Sequence, residues 1–163
     1  MRTVDVDNTL VHPPVPGDDR RRVSNATFAV RPCSRDRIAI GVRGDIDAVN
    51  GRDLARYVVH HTRASRQLVL DLRSVDFVGT QGFTALYYIS VHCARPDVDW
   101  AIVGSRNVRR LLSICDPGGE LPLADNLRAA LRRLDRITHS RAHRRWGARS
   151  EIRTHSHSHH RAS

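Results

Sequence analysis

The chain has 163 residues and a mass of 18.4 kDa, enough for one ordinary domain with extensions and too little for two separate cores. All 27 basic side chains are arginine, against 17 acidic ones, for a formal charge of +10; residues 1–22 are neutral, 23–136 carry +5 and the last 27 carry the other +5. A domain this mildly basic, with no aromatic-studded basic strand and no zinc-finger spacing, points to no direct specific DNA contact.

Pro13, Pro14, Pro16 and Gly17, followed by Asp18, Asp19, Arg20, Arg21 and Arg22, read as a flexible leader over residues 1–22, so the domain is expected to begin near Val23. Phe28, Val30 and Pro32 alternate with small or polar residues, and Ile38, Ile40 and Val42 alternate again after a turn, which predicts a hairpin. Gly44-Asp45-Ile46-Asp47 breaks the second strand. Leu54, Tyr57, Val58 and His61 then fall at i, i+3, i+4, i+7 and predict a helix over residues 49–63. Leu68, Val69, Leu70 and Leu72 make the continuous apolar run of a strand covered on both faces.

Phe77-Val78-Gly79-Thr80-Gln81-Gly82 carries the chain into a second helix over residues 82–94, with Phe83, Leu86, Tyr87, Ile89 and Cys93 in helical spacing. Val98, Trp100, Ile102 and Val103 form the next strand. Ser105 caps a third helix through Val108, Leu111, Leu112 and Cys115, which stops at Pro117-Gly118-Gly119. Leu121 and Leu123 suggest a last short strand, and Leu127, Ala130, Leu131 and Leu134 a final helix. Residues 137–163 hold 6 of the 10 histidines and almost no large aliphatics, the composition of a disordered Arg/His-rich tail. The expectation is an α/β fold in one domain over residues 23–136, a mixed sheet of four to five strands packed by about four helices.

No run approaches the roughly 18 apolar residues that cross a bilayer. The start MRTVDVDNTL has no signal pattern, so a cytoplasmic protein without membrane attachment is expected. Cys33, Cys93 and Cys115 are odd in number and far apart, against a disulfide framework or a CxxC pair. No G-x-S-x-G elbow or acid–base carboxylate pair is present, so no catalytic residue, enzymatic activity or cofactor is expected.

Three segments together resemble a STAS domain, and within that family the bacterial anti-sigma-factor antagonists. They are Gly44-Asp45-Ile46-Asp47, Val69-Leu70-Asp71-Leu72-Arg73-Ser74-Val75-Asp76-Phe77 leading into Gly79-Thr80-Gln81-Gly82-Phe83, and Val108-Arg109-Arg110-Leu111-Leu112. The likeness spans roughly residues 26–136. In that family the stretch matching Gly79-Thr80-Gln81-Gly82 reads Asp-Ser-Ser/Thr-Gly, and its first hydroxyl residue is phosphorylated by the anti-sigma factor, an ATP-using kinase. The resemblance thus implies that Thr80 is the phosphoacceptor. It also implies that Asp45, Asp47, Gly79, Thr80, Gln81 and Gly82 face an anti-sigma-factor kinase, whose capture releases a sigma factor. Gly79 stands where the family has Asp, and Gln81 replaces the second hydroxyl residue.

Each of these residues also has a plain structural reading. Thr80 is a natural helix N-cap, Gly79 and Gly82 allow a tight turn and close helix-to-sheet approach, and Asp45 and Asp47 suit a turn capping the first helix. Loss of the family Asp leaves a second functional reading, a stand-alone STAS scaffold or a sensor binding an anion or nucleotide at the second helix N-terminus. Cys33, near a loop, is a redox candidate, whereas Cys93 and Cys115 lie on apolar helix faces. His155, His157, His159 and His160 form an unselective tract, adjacent His60 and His61 point to different faces, and no specific metal site is expected. Arg128, Arg132, Arg133 and Arg136 form the polar face of the last helix.

Overall fold

The computed structural model describes residues 19–155, with side chains over 19–147. Strands β1 (Arg20–Val23), β2 (Ala26–Pro32), β3 (Arg37–Ile46), β4 (Gln67–Val78), β5 (Asp99–Gly104) and β6 (Leu123–Ala124) form one sheet in chain order. The first three pair antiparallel and the last four parallel, so the sheet is mixed. The expected hairpin is β2–β3, in register at Phe28↔Val42 and Val30↔Ile40. The parallel steps are bridged by α1 (Gly51–Thr62), α2 (Thr80–Ala94) and α3 (Arg106–Cys115), and the described chain closes with α4 (Leu127–His155).

Parallel crossovers are right-handed because twisted strands and helices pack back on the sheet only that way. Three crossovers stepping in the same direction therefore stack α1, α2 and α3 on one face. There Leu54 and Val58 of α1, Leu86 and Ile89 of α2 and Val108 and Leu112 of α3 close over Ile40, Leu68, Leu70 and Ile102. The alternate residues Ala39, Val69, Ala101 and Val103 face the other way and are covered by Leu127, Ala130 and Leu134 of α4. β4 is buried on both faces, as its continuous apolar run predicts. Its one buried carboxylate, Asp71, is held by Arg73, with Nε to Oδ1 at 2.9 Å.

The fold departs from the sequence reading at both ends and in strand number. Residues 20–22, placed in the leader, begin a sixth strand that pairs with β2 across a two-residue turn in which Ser24 has φ 53°. Pairing at a sheet edge uses backbone groups and tolerates charged side chains, so a run of arginines conceals it from an apolar-pattern search. The tail expected to be disordered from 137 is helical to His155. Polar contacts hold its first turns: Gln67 Nε2 donates to Leu134 O at 2.9 Å and Thr138 Oγ1 at 2.8 Å, and Arg141 pairs with Asp99 at 2.9 Å. Residues 1–18 of the expected leader and 156–163 of the tail lie outside the described residues.

Candidate functional site

β3 and β4 run parallel side by side, and their last registered pair is Ile46↔Val78. The β3–α1 turn and the β4–α2 junction therefore leave the sheet at the same edge, where the Gly79 N–H donates to Ile46 O at 3.0 Å. Asp45 and Asp47, distant in sequence from Thr80, are thereby brought beside the start of α2.

The turn itself is built by Asp47-Ala48-Val49-Asn50. Asp47 Oδ1 accepts from the N–H of Val49 at 2.9 Å and of Asn50 at 3.3 Å, while Asn50 Oδ1 accepts from the Asp47 N–H at 3.1 Å. This reciprocal i, i+3 exchange closes the turn that leads into α1, satisfying backbone donors ahead of the helix, whose own N-cap, Asn50, makes no side-chain cap bond. The fully buried Asn50 also donates to Asp45 O at 2.8 Å, locking the turn to the end of β3. Asp47 thus has the turn role without capping α1, and Asp45 enters the network through its carbonyl. The sequence reading missed Asn50; its signal was the Asp-x-x-Asn spacing.

At the junction, Gly79 occupies the N-cap position in extended backbone, and Thr80 is the first residue of α2 rather than its cap. The difference arises because α2 begins two residues earlier than the apolar spacing suggests. Thr80 is exposed and its hydroxyl takes no hydrogen bond among the described residues. Gln81 is exposed beside it. The two glycines differ. A Cβ on Gly82 would lie 2.4 Å from Val78 Cγ2 and 3.3 Å from Ile46 Cγ2, so close approach of α2 to the sheet demands glycine there. A Cβ on Gly79 would meet nothing nearer than 3.7 Å, at φ −88°, so the steric reading fails for Gly79.

Behind this edge α1 and α2 converge: a Cβ on Gly51 would lie 3.1 Å from Gln81 O. A groove of about 850 Å³ runs between the two helices. Val49 (67% exposed) and Tyr88 (62%) line it, and Phe77 (55%) is exposed at the end of β4.

Other candidates lie elsewhere. Cys33 is exposed at the β2–β3 turn, at the opposite end of β3 from Asp45; burial pushes its thiol up, against the opposing pull of Arg37 and Arg31, which disfavours the reactive thiolate. Cys93 is buried and its thiol is pushed up to about 12 by burial alone. Arg109 of the α3 segment ties strand ends together, Nη2 donating to Ala124 O at 3.0 Å and Nε to Gly104 O at 3.2 Å. No cluster of three or more metal-ligating side chains occurs among the described residues, and His157, His159 and His160 lie outside them. No helix among the described residues is long and apolar enough to cross a membrane.

The STAS domain family model matches residues 32–130, a span that contains the Asp47 turn and the start of α2. The chain belongs to the STAS family. Among curated relatives this STAS protein is 31% identical over 125 residues to RsfA, an anti-sigma-F factor antagonist of Mycobacterium tuberculosis, covering 74% of this chain and 98% of RsfA. It is 29% identical over 96 residues to osmosensory protein A of the same species, covering 56% of this chain and 61% of that one. In three dimensions it resembles an anti-sigma factor antagonist from Mycobacterium paratuberculosis, with TM-score 0.56, 23% identity and coverage of 65% and 91%. It also resembles the unphosphorylated anti-sigma factor antagonist SpoIIAA, with TM-score 0.54, 12% identity and coverage of 69% and 96%. At these identities the structural matches establish the fold.

Proposed function

We propose that this STAS protein is an anti-sigma-factor antagonist that docks on an anti-sigma-factor kinase through the edge formed by Asp45, Asp47, Gly79, Thr80, Gln81 and Gly82, so releasing a sigma factor. Thr80 is the phosphoacceptor that ends the contact. The observation that carries this reading is the meeting of the Asp47 turn with an exposed, unbonded threonine hydroxyl at the first position of α2. The names of RsfA and SpoIIAA support the antagonist role.

The chemistry suits the position. Thr80 Oγ1 attacks the γ-phosphorus of ATP held by the kinase, the bond to ADP breaks, and the hydroxyl proton passes to a base of the kinase. The product gains about −1.5 to −2 charges near neutral pH. Open N–H groups at the α2 N-terminus and the positive end of the helix dipole stabilise that charge within this chain. In a packed interface the same charge must be desolvated, which breaks the contact. Gly79 removes the family carboxylate, and a Cβ there would make only ordinary contacts, the nearest with the Phe77 ring at 3.7 Å, so glycine is not required by packing at this position.

The test is calorimetric binding of the full chain to each anti-sigma-factor kinase of the source genome in ADP, then ATP and mass spectrometry of the Thr80 peptide. Binding with phosphate on Thr80, weakened by Thr80→Glu and kept by Thr80→Ala, is expected. Equal affinity of both variants and wild type removes the switch. Absence of binding to any such kinase removes the antagonist reading and favours the anion or nucleotide sensor.

A further inference from the structure

The α1–α2 groove has two chemically distinct walls. Along α1, Arg52, Arg56, His60 and Arg63 follow one another at i, i+4, i+8 and i+11 and form a ridge over three turns, about 17 Å at 1.5 Å per residue. All four are exposed, and the three arginines make no ion pair or hydrogen bond among the described residues. The nearby carboxylate of Asp53 is directed to Arg21, at 3.6 Å. Like charges at i, i+4 weaken a helix, and Asp53, in the first turn and also lining the groove, is the one acidic side chain among the groove-lining residues. The opposite wall carries Tyr88, and Val49 stands exposed beside the ridge. Gly51 and Ala85 line the groove where the two helices approach closely.

We propose that this groove seats an acidic amphipathic helix of the anti-sigma factor, its apolar side chains on Val49 and Tyr88 and its carboxylates along Arg52, Arg56 and Arg63. The inference rests on the antagonist reading above and names the partner chemistry of the same contact. A trough between two helices, as long as three helical turns, admits a third helix in the manner of helix-in-groove recognition. Exposed apolar anchors beside the charges favour a protein over a small anion, since aromatic and apolar anchors carry protein contacts while charges steer and orient them. Gln81, next to Thr80, lines the same groove. A phosphate on Thr80 therefore places its charge at the end of the basic ridge, where it repels the partner's carboxylates and competes with them for the arginines.

The experiment measures affinity of the full chain, wild type, Arg52→Glu/Arg56→Glu, Tyr88→Ala and the α4 control Arg128→Glu/Arg132→Glu, for whichever anti-sigma factor the wild type binds, at about 50 and 200 mM salt. Melting curves check that each variant is folded. Losses of at least tenfold for the double α1 variant and for Tyr88→Ala, with the α4 control near wild type and the salt dependence flattened by the α1 changes, are expected. Unchanged affinity of the α1 variant, with wild type still bound and released by phosphorylation, overturns the groove and leaves the antagonist reading standing. No anti-sigma factor binding to wild type overturns both. A rise in melting temperature with ATP or GTP that the double α1 variant abolishes assigns the groove to a small anion and also overturns the proposal.

Discussion

Gly82→Ala tests how the start of α2 is held against the sheet. The added methyl would lie 2.4 Å from Val78 Cγ2 and 3.3 Å from Ile46 Cγ2, contacts that require movement. Val78 is β-branched and stiff at χ1, and it is paired in the ladder with Ile46, so the strain falls on α2. Overpacking of this kind costs about 1–3 kcal/mol. Alanine recovers about 0.5–1 kcal/mol of the helix penalty of glycine. The net expectation is a loss of about 1–2 kcal/mol, which for a domain of this size lowers Tm by about 3–8 °C. Gly79→Asp is the matched control: its Cβ meets nothing closer than 3.7 Å, and an N-cap carboxylate gains at most a few tenths of a kcal/mol over glycine. Urea denaturation followed by circular dichroism reads both. Gly82→Ala as stable as wild type, or Gly79→Asp losing as much as Gly82→Ala, would refute the steric assignment.

Asn50→Ala removes the bonds to Asp45 O and the Asp47 N–H from a fully buried position and is expected to cost about 2–3 kcal/mol, seen as a lower urea midpoint; a change under about 0.5 kcal/mol would show the turn is held otherwise. Burial holds His61 below its ordinary value, with the Asp19 carboxylate at 3.1 Å opposing and His60 adding to the depression. Because the unfolded chain takes up the proton first, stability falls as pH drops from about 6.5 towards the folded value. Urea midpoints between pH 8 and 5 should show that fall, and His61→Gln should flatten it; an unaltered pH profile in the variant contradicts the assignment. A chain ending at Ile137 loses the Thr138–Gln67 and Arg141–Asp99 contacts and is expected to be about 1–2 kcal/mol less stable, whereas one ending at Gly147 keeps both and should match the full chain within about 0.5 kcal/mol. Equal loss in both truncations would place the anchoring contacts beyond Gly147.

Much of the fold was legible because it is written in short-range spacing. Leu54, Tyr57 and Val58 mark the buried stripe of α1, the run through Leu72 marks a strand covered on both faces, and Ser105 caps α3 by accepting from the Val108 N–H. Arg20, Arg21 and Arg22 concealed β1, since an edge strand is made by its backbone. The polar anchors of α4, Thr138 and Arg141, have no apolar period to announce them. Within the candidate site, the resemblance grouped Thr80 with both aspartates, which the structure places at one edge of the sheet, but it did not separate Gly82, where close packing requires glycine, from Gly79, where it does not.

By itself the sequence determined the buried stripe of α1 and of β2 to β5, since periods of 2 and 3.6 residues are properties of a local backbone. It also determined the order of elements that makes a mixed sheet with crossover helices. Tertiary structure alone decided that the Asp47 turn meets Thr80, that Asn50 lies buried between β3 and α1, and that Arg52, Arg56 and Arg63 face Tyr88 across a groove. The first and last of those relations join residues about 25 to 36 positions apart, through parallel strand pairing and the approach of two helix ridges. Distance in space across such crossovers is set by the packing of the whole sheet, and no local spacing encodes it.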